Sequence, residues 1–220
     1  MNLRFRLGQA YDRVRTGDVR GVARLVRRRL YSETLRIQVR KETTDADEAR
    51  SSGAEHPIRV ASMADIEAVL DPGRGSAMDA GEVWQRRLRR YVAATLGPSR
   101  CYVADFDSLG PSFMHYLFFP EDNDLVQSNF PDLGSRLEPG EAMVEYLYVP
   151  PDARLLPFVT SCLAQVASEA RRRGAASIFT YAQKGNKGAL FSFRLAGFHP
   201  VAVRRSRYRF FRRSVWYEPL

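Results

Sequence analysis

The stretch from Ala142 to Phe198 decides the fold. It reads AMVEYLYV (142–149), Pro150-Pro151, RLLPFVTSCLAQVASEARRR (154–173), Gly174 and AASIFTY (175–181), then a short helix closing on Gly197-Phe198. The first and last runs are strands. In the middle run Leu156, Val159, Leu163, Val166, Ala167 and Ala170 fall at helical spacing, with Gln165, Ser168, Glu169, Arg171 and Arg172 facing away. Gly174 is placed to end that helix in a left-handed conformation, and Arg171–Arg173 suit its negative C-terminus. The nearly continuous apolar character of 175–181 predicts a strand covered on both faces. Strand, helix and strand of these lengths predict a right-handed parallel crossover. Such a unit leaves a helix N-terminus, a ready anion site, just past the C-terminal end of its first strand.

Upstream, His56–Ala61 reads as a strand, Ser62-x-x-Asp65 as a capping-box start to a short helix ending near Leu70, and Asp71–Gly75 as a turn. A second helix over about 80–95 is expected to bury Val83, Trp84, Leu88, Tyr91 and Val92. Cys101–Phe106 and Phe113–Phe119 predict an antiparallel hairpin. The polar segment from Pro120 to Gly140 is longer than a hairpin needs. It is a candidate functional loop, and Glu121, Asp122, Asp124 and Asp132 make it a candidate receiver of an amine.

The termini differ from this centre. Residues 1–40 carry eleven arginines against Asp12, Asp18 and Glu33, and residues 199–217 carry six arginines and no acid. A helix is expected from Val19 to Leu30 behind Asp18, and Leu35–Val39 alternates as a short strand. Glu42–Glu55 has no apolar residue larger than alanine and reads as a flexible acidic linker. The expected organisation is a basic extension (1–41), the linker (42–55) and one domain (56–220).

The net charge is +9, but lysine occurs only at positions 41, 184 and 187, a skew that base composition explains as well as phosphate binding does. The alternation of Arg204, Arg205, Arg207, Arg209, Arg212 and Arg213 with Tyr208, Phe210, Phe211, Trp216 and Tyr217 resembles a single-stranded nucleic-acid surface. A strand pair with one face on a core gives the same pattern, so nucleic acid is not the expected partner. The arginine-rich N-terminal helix suits the anionic surface of a membrane as a peripheral contact. No apolar run approaches ~18 residues, no secretory signal is read, and Cys101 and Cys162 suit buried reduced thiols. The expectation is a cytoplasmic protein, with its oligomeric state open.

Val149-x-Pro151-x-x-Arg154 before the helix, Asn186-x-x-Ala189, and Leu195-Ala196-Gly197-Phe198 resemble the GCN5-related N-acetyltransferase superfamily. The resemblance spans roughly Pro57–Tyr217 and rests on element order more than on motifs. It implies an α/β fold with a mixed, mostly antiparallel sheet, flanking helices and a β-α-β acyl-CoA crossover. It also implies acetyl-CoA as co-substrate, with Leu147, Val149, Arg154 and Asn186 as its contacts. Two departures stand out. Pro157 and Val159 occupy positions where the family has glycine or another residue that bares an amide to the pyrophosphate, and proline has no N–H to give. Phe193 replaces the tyrosine that commonly protonates the leaving thiolate.

Glu145, sharing a strand face with Met143, Leu147 and Val149, is the candidate base, because desolvation raises a carboxyl toward a useful pKa. Tyr181 and Tyr148 are the candidate acids in place of Phe193. His56, His115 and His199 are scattered without Cys/His ligand spacing, so no metal is expected. Three function classes follow. The first is acyl transfer, most simply acetyl, to a primary amine of a small molecule or amino sugar. The second is an inactive acyltransferase-like scaffold. The third is a basic binder of membrane or nucleic acid.

Overall fold

A computed structural model describes residues 23, 26, 27, 30–47, 54–74, 80–130 and 136–220. The expected N-terminal helix lies largely outside these; Ala23, Val26, Arg27 and Leu30 are helical. Eight strands form one sheet: β1 (Tyr31–Glu42), β2 (Ile58–Val60), β3 (Cys101–Asp105), β4 (Pro111–Phe118), β5 (Glu141–Tyr148), β6 (Ser177–Gln183), β7 (His199–Arg209) and β8 (Arg212–Pro219). Their order is β2-β3-β4-β5-β6-β1-β7-β8, and among the described strands only β5 and β6 are parallel. The helices are α1 (Met63–Val69), α2 (Ala80–Leu96), α3 (Asn123–Asn129), α4 (Leu156–Arg172) and α5 (Lys187–Leu195).

The β5–α4–β6 crossover forms as its sequence predicts. Gly174 closes α4 at φ 87°, where its N–H donates to the Arg171 carbonyl and that of Ala175 to Ala170. Phe158, Cys162, Leu163, Val166, Ala167 and Ala170 are buried against the sheet. Gln165 and Ser168, expected to face solvent, are buried as well. The Gln165 amide accepts from Ile58 N–H at 2.9 Å and donates to the His56 carbonyl at 2.9 Å, so it stitches the edge strand β2 to α4.

One hydrophobic cluster fills the side covered by α4 and α5 and includes Val39, Val144, Leu163, Val166, Ile178 and Phe193. A second lies under α1, α2 and α3 and includes Ile66, Val92, Val103, Met114, Phe118 and Phe179. Cys101 and Cys162 are free and buried, and burial pushes both thiols up to about 12, so neither is nucleophilic near neutral pH.

Four expectations need correcting. First, the short strand at Leu35–Val39 is the middle of the 12-residue β1, which lies between β6 and β7. Ile37 and Val39 enter the core while Arg36, Gln38 and Arg40 face the side without α4, so only one face of the strand signals burial. Second, the start of the expected linker is built into the domain. Lys41 Nζ bonds Asp47 Oδ1 at 2.6 Å and the Ala196 carbonyl at 3.0 Å, and the buried Thr43 donates to the Ala175 carbonyl at 2.5 Å. Third, α2 leaves Val83 exposed and instead buries Arg86 and Arg89 beside Val92 and Ala93. Fourth, the polar segment after Pro120 contains α3 and buries Val126, Phe130 and Leu137. There Asp122 is buried, accepting from Phe119 N–H at 3.1 Å and pairing with Arg100, so it is a structural acid.

Two backbone irregularities lie in these strands and their turns. Tyr146 sits at φ 56°, where β5 carries an extra residue: Met114 faces Tyr148 while Tyr116 faces Glu145. The β7–β8 turn is made by Phe210 and Phe211, at φ 46° and 67°, with 79% and 62% of their surfaces exposed.

Candidate functional site

The parallel ladder between β5 and β6 runs only from Glu141/Ser177 to Met143/Phe179. Past that point the Tyr146 bulge turns β5 aside, and a cavity of about 600 Å³ opens between β5, α4 and α5. Leu147, Tyr148, Val149, Arg154 and Asn186 all line it, as do Val159 and Phe193. Glu145 and Tyr181 do not. They lie together, within electrostatic reach of each other and of Arg204.

The cavity wall is held by a charged network that the sequence did not announce. Arg154 Nε donates to the Val149 carbonyl at 3.0 Å, and its terminal nitrogen to Glu82 at 2.8 Å. Tyr148 donates to the same carboxylate and accepts from Arg86 Nε at 2.7 Å. Burial alone would raise the Glu82 carboxyl, but the hydrogen bonds from Tyr148, Arg154 and Arg86 outweigh it and hold the group below the ordinary range. Burial, with Glu82 beside it, pushes the Tyr148 phenol up to about 12. Its proton is therefore held on a carboxylate and is not poised to leave. Arg89 sits beneath the bulge, donating to the Tyr146 carbonyl at 3.2 Å and to the Leu147 carbonyl. Burial draws its pKa down to about 10, so it stays cationic. In a trans peptide the N–H points opposite the preceding carbonyl, so the Leu147 amide is aimed away from Arg89.

At the start of α4, Leu155 is the N-cap without a side-chain bond, and Pro157 stands in the first turn. The Leu156 and Phe158 amides have no acceptor within the helix, while Pro157 has no N–H to offer. Asn186 caps α5, its Oδ1 accepting from Ala189 N–H at 3.1 Å. Phe193 is buried against Phe198, with ring centroids 5.4 Å apart.

Glu145 is 8% exposed, and one of its carboxyl oxygens is buried without a hydrogen-bond partner. Burial raises its pKa, opposed in order by Arg36, Arg204 and the neighbouring backbone, with Arg89 last. Tyr181 lies under the Arg204 guanidinium, 5.1 Å from the ring centroid, and its hydroxyl is 3.2 Å from that of Tyr217. Burial, then the Tyr217 contact, pushes this phenol above its ordinary value.

Glu82, Arg86, Arg89 and Arg36 are the residues that sequence reasoning passed over, while Arg204 was read only within the basic-aromatic alternation of the last two strands. The signal for three of them was present: Glu82, Arg86 and Arg89 share the stripe of Val92 and Ala93, and arginines on an apolar stripe mark buried cations. The scattered acids and histidines also regroup. Glu55, His56 and Asp107 each bring one ligand atom within 4.8 Å of the others, a cluster that sequence spacing does not show.

No family model matches the sequence, and no curated protein matches it. Solved structures do resemble it. A functionally unknown conserved protein from Staphylococcus epidermidis superposes with a TM-score of 0.51 at 9% identity, over 84% of this chain and 64% of that one. An acetyltransferase from the GNAT family of Colwellia psychrerythraea gives 0.50 at 13% identity, over 81% and 57% respectively. The chain thus spans less than two thirds of either neighbour. Likeness at these identities concerns the fold. With its mostly antiparallel sheet, single parallel crossover and flanking helices, the chain has the fold of the GCN5-related N-acetyltransferases, in a divergent form.

Proposed function

We propose that this chain is an N-acyltransferase that moves an acyl group, most simply acetyl, from acyl-CoA to a primary amine of a small molecule or amino sugar. The observation that carries the reading is the cavity that opens past the end of the β5–β6 ladder, lined by Leu147, Tyr148 and Val149, with the buried carboxyl of Glu145 just before the Tyr146 bulge on the same strand. The cavity residues fit a CoA-type ligand in part. Arg154 and the Leu156 and Phe158 amides supply charge and dipole for a diphosphate, although Pro157 removes one donor. Asn186 adds a side-chain amide at the mouth of α5.

A bound thioester supplies an activated acyl carbon. Around it, Glu145 accepts the proton that an ammonium nucleophile must lose, and its raised pKa makes it the stronger base. The Leu147 N–H is the donor placed for a carbonyl oxygen on which negative charge develops. Tyr148 is fixed on Glu82 and Tyr181 is turned toward Tyr217, so neither is required as an acid: a thiolate leaves without one. Calorimetric titration with acetyl-CoA and CoA tests the reading. Saturable binding is expected, weakened by Arg154→Ala; no heat at millimolar ligand would refute it.

A second reading has its own observation. Arg154 is already engaged by Glu82, and Pro157, Val159 and Phe193 replace groups that the chemistry uses, as in a non-catalytic module. A Glu145→Gln variant that fully complements a cell depending on the protein would favour it.

A further inference from the structure

Beside Glu145, on the sheet side away from α4 and α5, strands β1, β7 and β8 form a second, smaller pocket of about 160 Å³. Its lining is Thr34, Arg36, Arg204, Ser206, Tyr208 and Arg213: three guanidinium groups and three hydroxyls. Cross-strand register builds it in rows. Arg36 faces Arg204, Thr34 faces Ser206, and Tyr208 faces Arg213. The last arginine is tied to the middle row, since Arg213 Nε donates to Ser206 Oγ at 2.8 Å.

Two features set this pocket apart from an ordinary basic surface. Two arginines stand directly opposite each other on neighbouring strands, Arg36 and the buried Arg204, whose guanidinium also lies over the Tyr181 ring. The pocket also adjoins the site already described. Gln38 faces Tyr181, so Arg36, two residues along β1, lies about 7 Å further on. Arg36 and Arg204 both act electrostatically on Glu145.

We propose that this pocket binds a phosphate group of the acceptor, so that the substrate is a phosphorylated amine whose amino end reaches Glu145. The inference rests on Glu145 as the base of the reaction above. Phosphate fits the lining better than carboxylate does: guanidiniums from three strands, even with Arg213 Nε held by Ser206, match three phosphate oxygens rather than the two of a carboxylate. Occupancy also has a catalytic consequence. A bound dianion offsets the cationic field of Arg36 and Arg204, and the Glu145 carboxyl becomes more basic when the substrate is seated.

The test is calorimetric titration of the full chain with inorganic phosphate and pyrophosphate, at fixed ionic strength, with acetate as the carboxylate control. The expected result is saturable phosphate binding that survives saturation with CoA and exceeds acetate binding. Arg36→Gln should weaken it at least ~10-fold, the scale of one charged hydrogen bond. Ser206→Asp, which places a carboxylate inside the pocket, should abolish it. Unchanged CoA affinity in both variants shows that they fold. Phosphate binding that both variants leave intact, that CoA displaces, or that acetate matches overturns the proposal. Sedimentation with phosphatidylglycerol vesicles separates the lipid source: retention that phosphate does not compete for counts against a soluble phosphate ligand. Phosphate is titrated first in the absence of CoA, with circular dichroism as a second check that the variants fold, so failure of that first titration is distinct from failure of the acyl-CoA reading.

Discussion

His115, in the middle of β4, should make this fold sensitive to acid. Its ring stacks on Tyr102 with centroids 5.5 Å apart and meets Phe113 edge-on at 5.4 Å. Both ring nitrogens are buried with no hydrogen-bond partner. Burial drives its pKa down to about 3, against an unfolded value of about 6.5. The sign follows from proton counting. Above about pH 6.5 the ring is neutral in both states and costs nothing. As pH falls below that, the unfolded chain takes up the proton and the folded one resists, so stability falls until pH reaches the folded pKa. At pH 4 the gap is about 2.5 units, or about 3 kcal/mol at 1.36 kcal/mol per unit. That is a large part of the 5–15 kcal/mol typical of a domain. His115→Phe keeps a flat ring in the same stack and removes the titration. Its effect at pH 7 is a balance between relieving two orphan nitrogens and inserting a slightly larger ring. The slope is the cleaner readout. Urea unfolding followed by circular dichroism at pH 7, 5.5 and 4 should show the parent losing about 3 kcal/mol more than His115→Phe, with all other groups cancelling. His115→Leu should behave alike. Equal losses in parent and variants would refute the argument.

Three further outcomes are expected. Glu145→Gln should cut acyl transfer by about 10²–10⁴-fold, as for a lost general base. Because its folded pKa is raised, the Glu145 penalty is absent below the ordinary carboxylate range and grows as pH rises through it. The variant should therefore be more stable than the parent at pH 7 and equal to it at pH 3, and a less stable, fully active variant would contradict both roles. Replacing Phe210-Phe211 with Asn-Gly should raise stability by about 1–2 kcal/mol in urea melts, since each phenylalanine now sits at positive φ in a two-residue turn. Lys41→Met should lower stability by about 3 kcal/mol by taking the cation from buried Asp47, which keeps its bonds from Thr44, and adding Asp47→Leu should restore part of it; a cycle with no coupling would show the pair to be idle.

The crossover was legible because each of its signals is local. A 3.6-residue apolar stripe, a glycine at the helix end and a continuous apolar strand follow one another within one span of chain. Arg154 and Asn186, which the family resemblance singled out, both line the cavity, each standing next to a helix start. The place of β1 was not legible, because strand neighbours are chosen by long-range pairing and half its side chains are polar. The buried arginines of α2 were missed because periodicity weighs hydrophobicity alone. The Arg89 guanidinium bonds Gln85 within its own helix, but its place under the bulge depends on the Tyr146 and Leu147 carbonyls, on a strand more than fifty residues away.

Glu145 shows the division most plainly. The sequence by itself determined an acid in an alternating apolar strand, and with it a carboxyl whose pKa must rise on burial. Only the tertiary structure decided what surrounds that acid. Past the end of the β5–β6 ladder, Tyr146 at positive φ bends β5 beside the cavity on one side, while β1 and β7 bring Arg36 and Arg204 to the other. Backbone hydrogen bonding along a helix is written into consecutive residues. The charge surrounding a buried carboxyl is set by strands that meet only when the sheet closes.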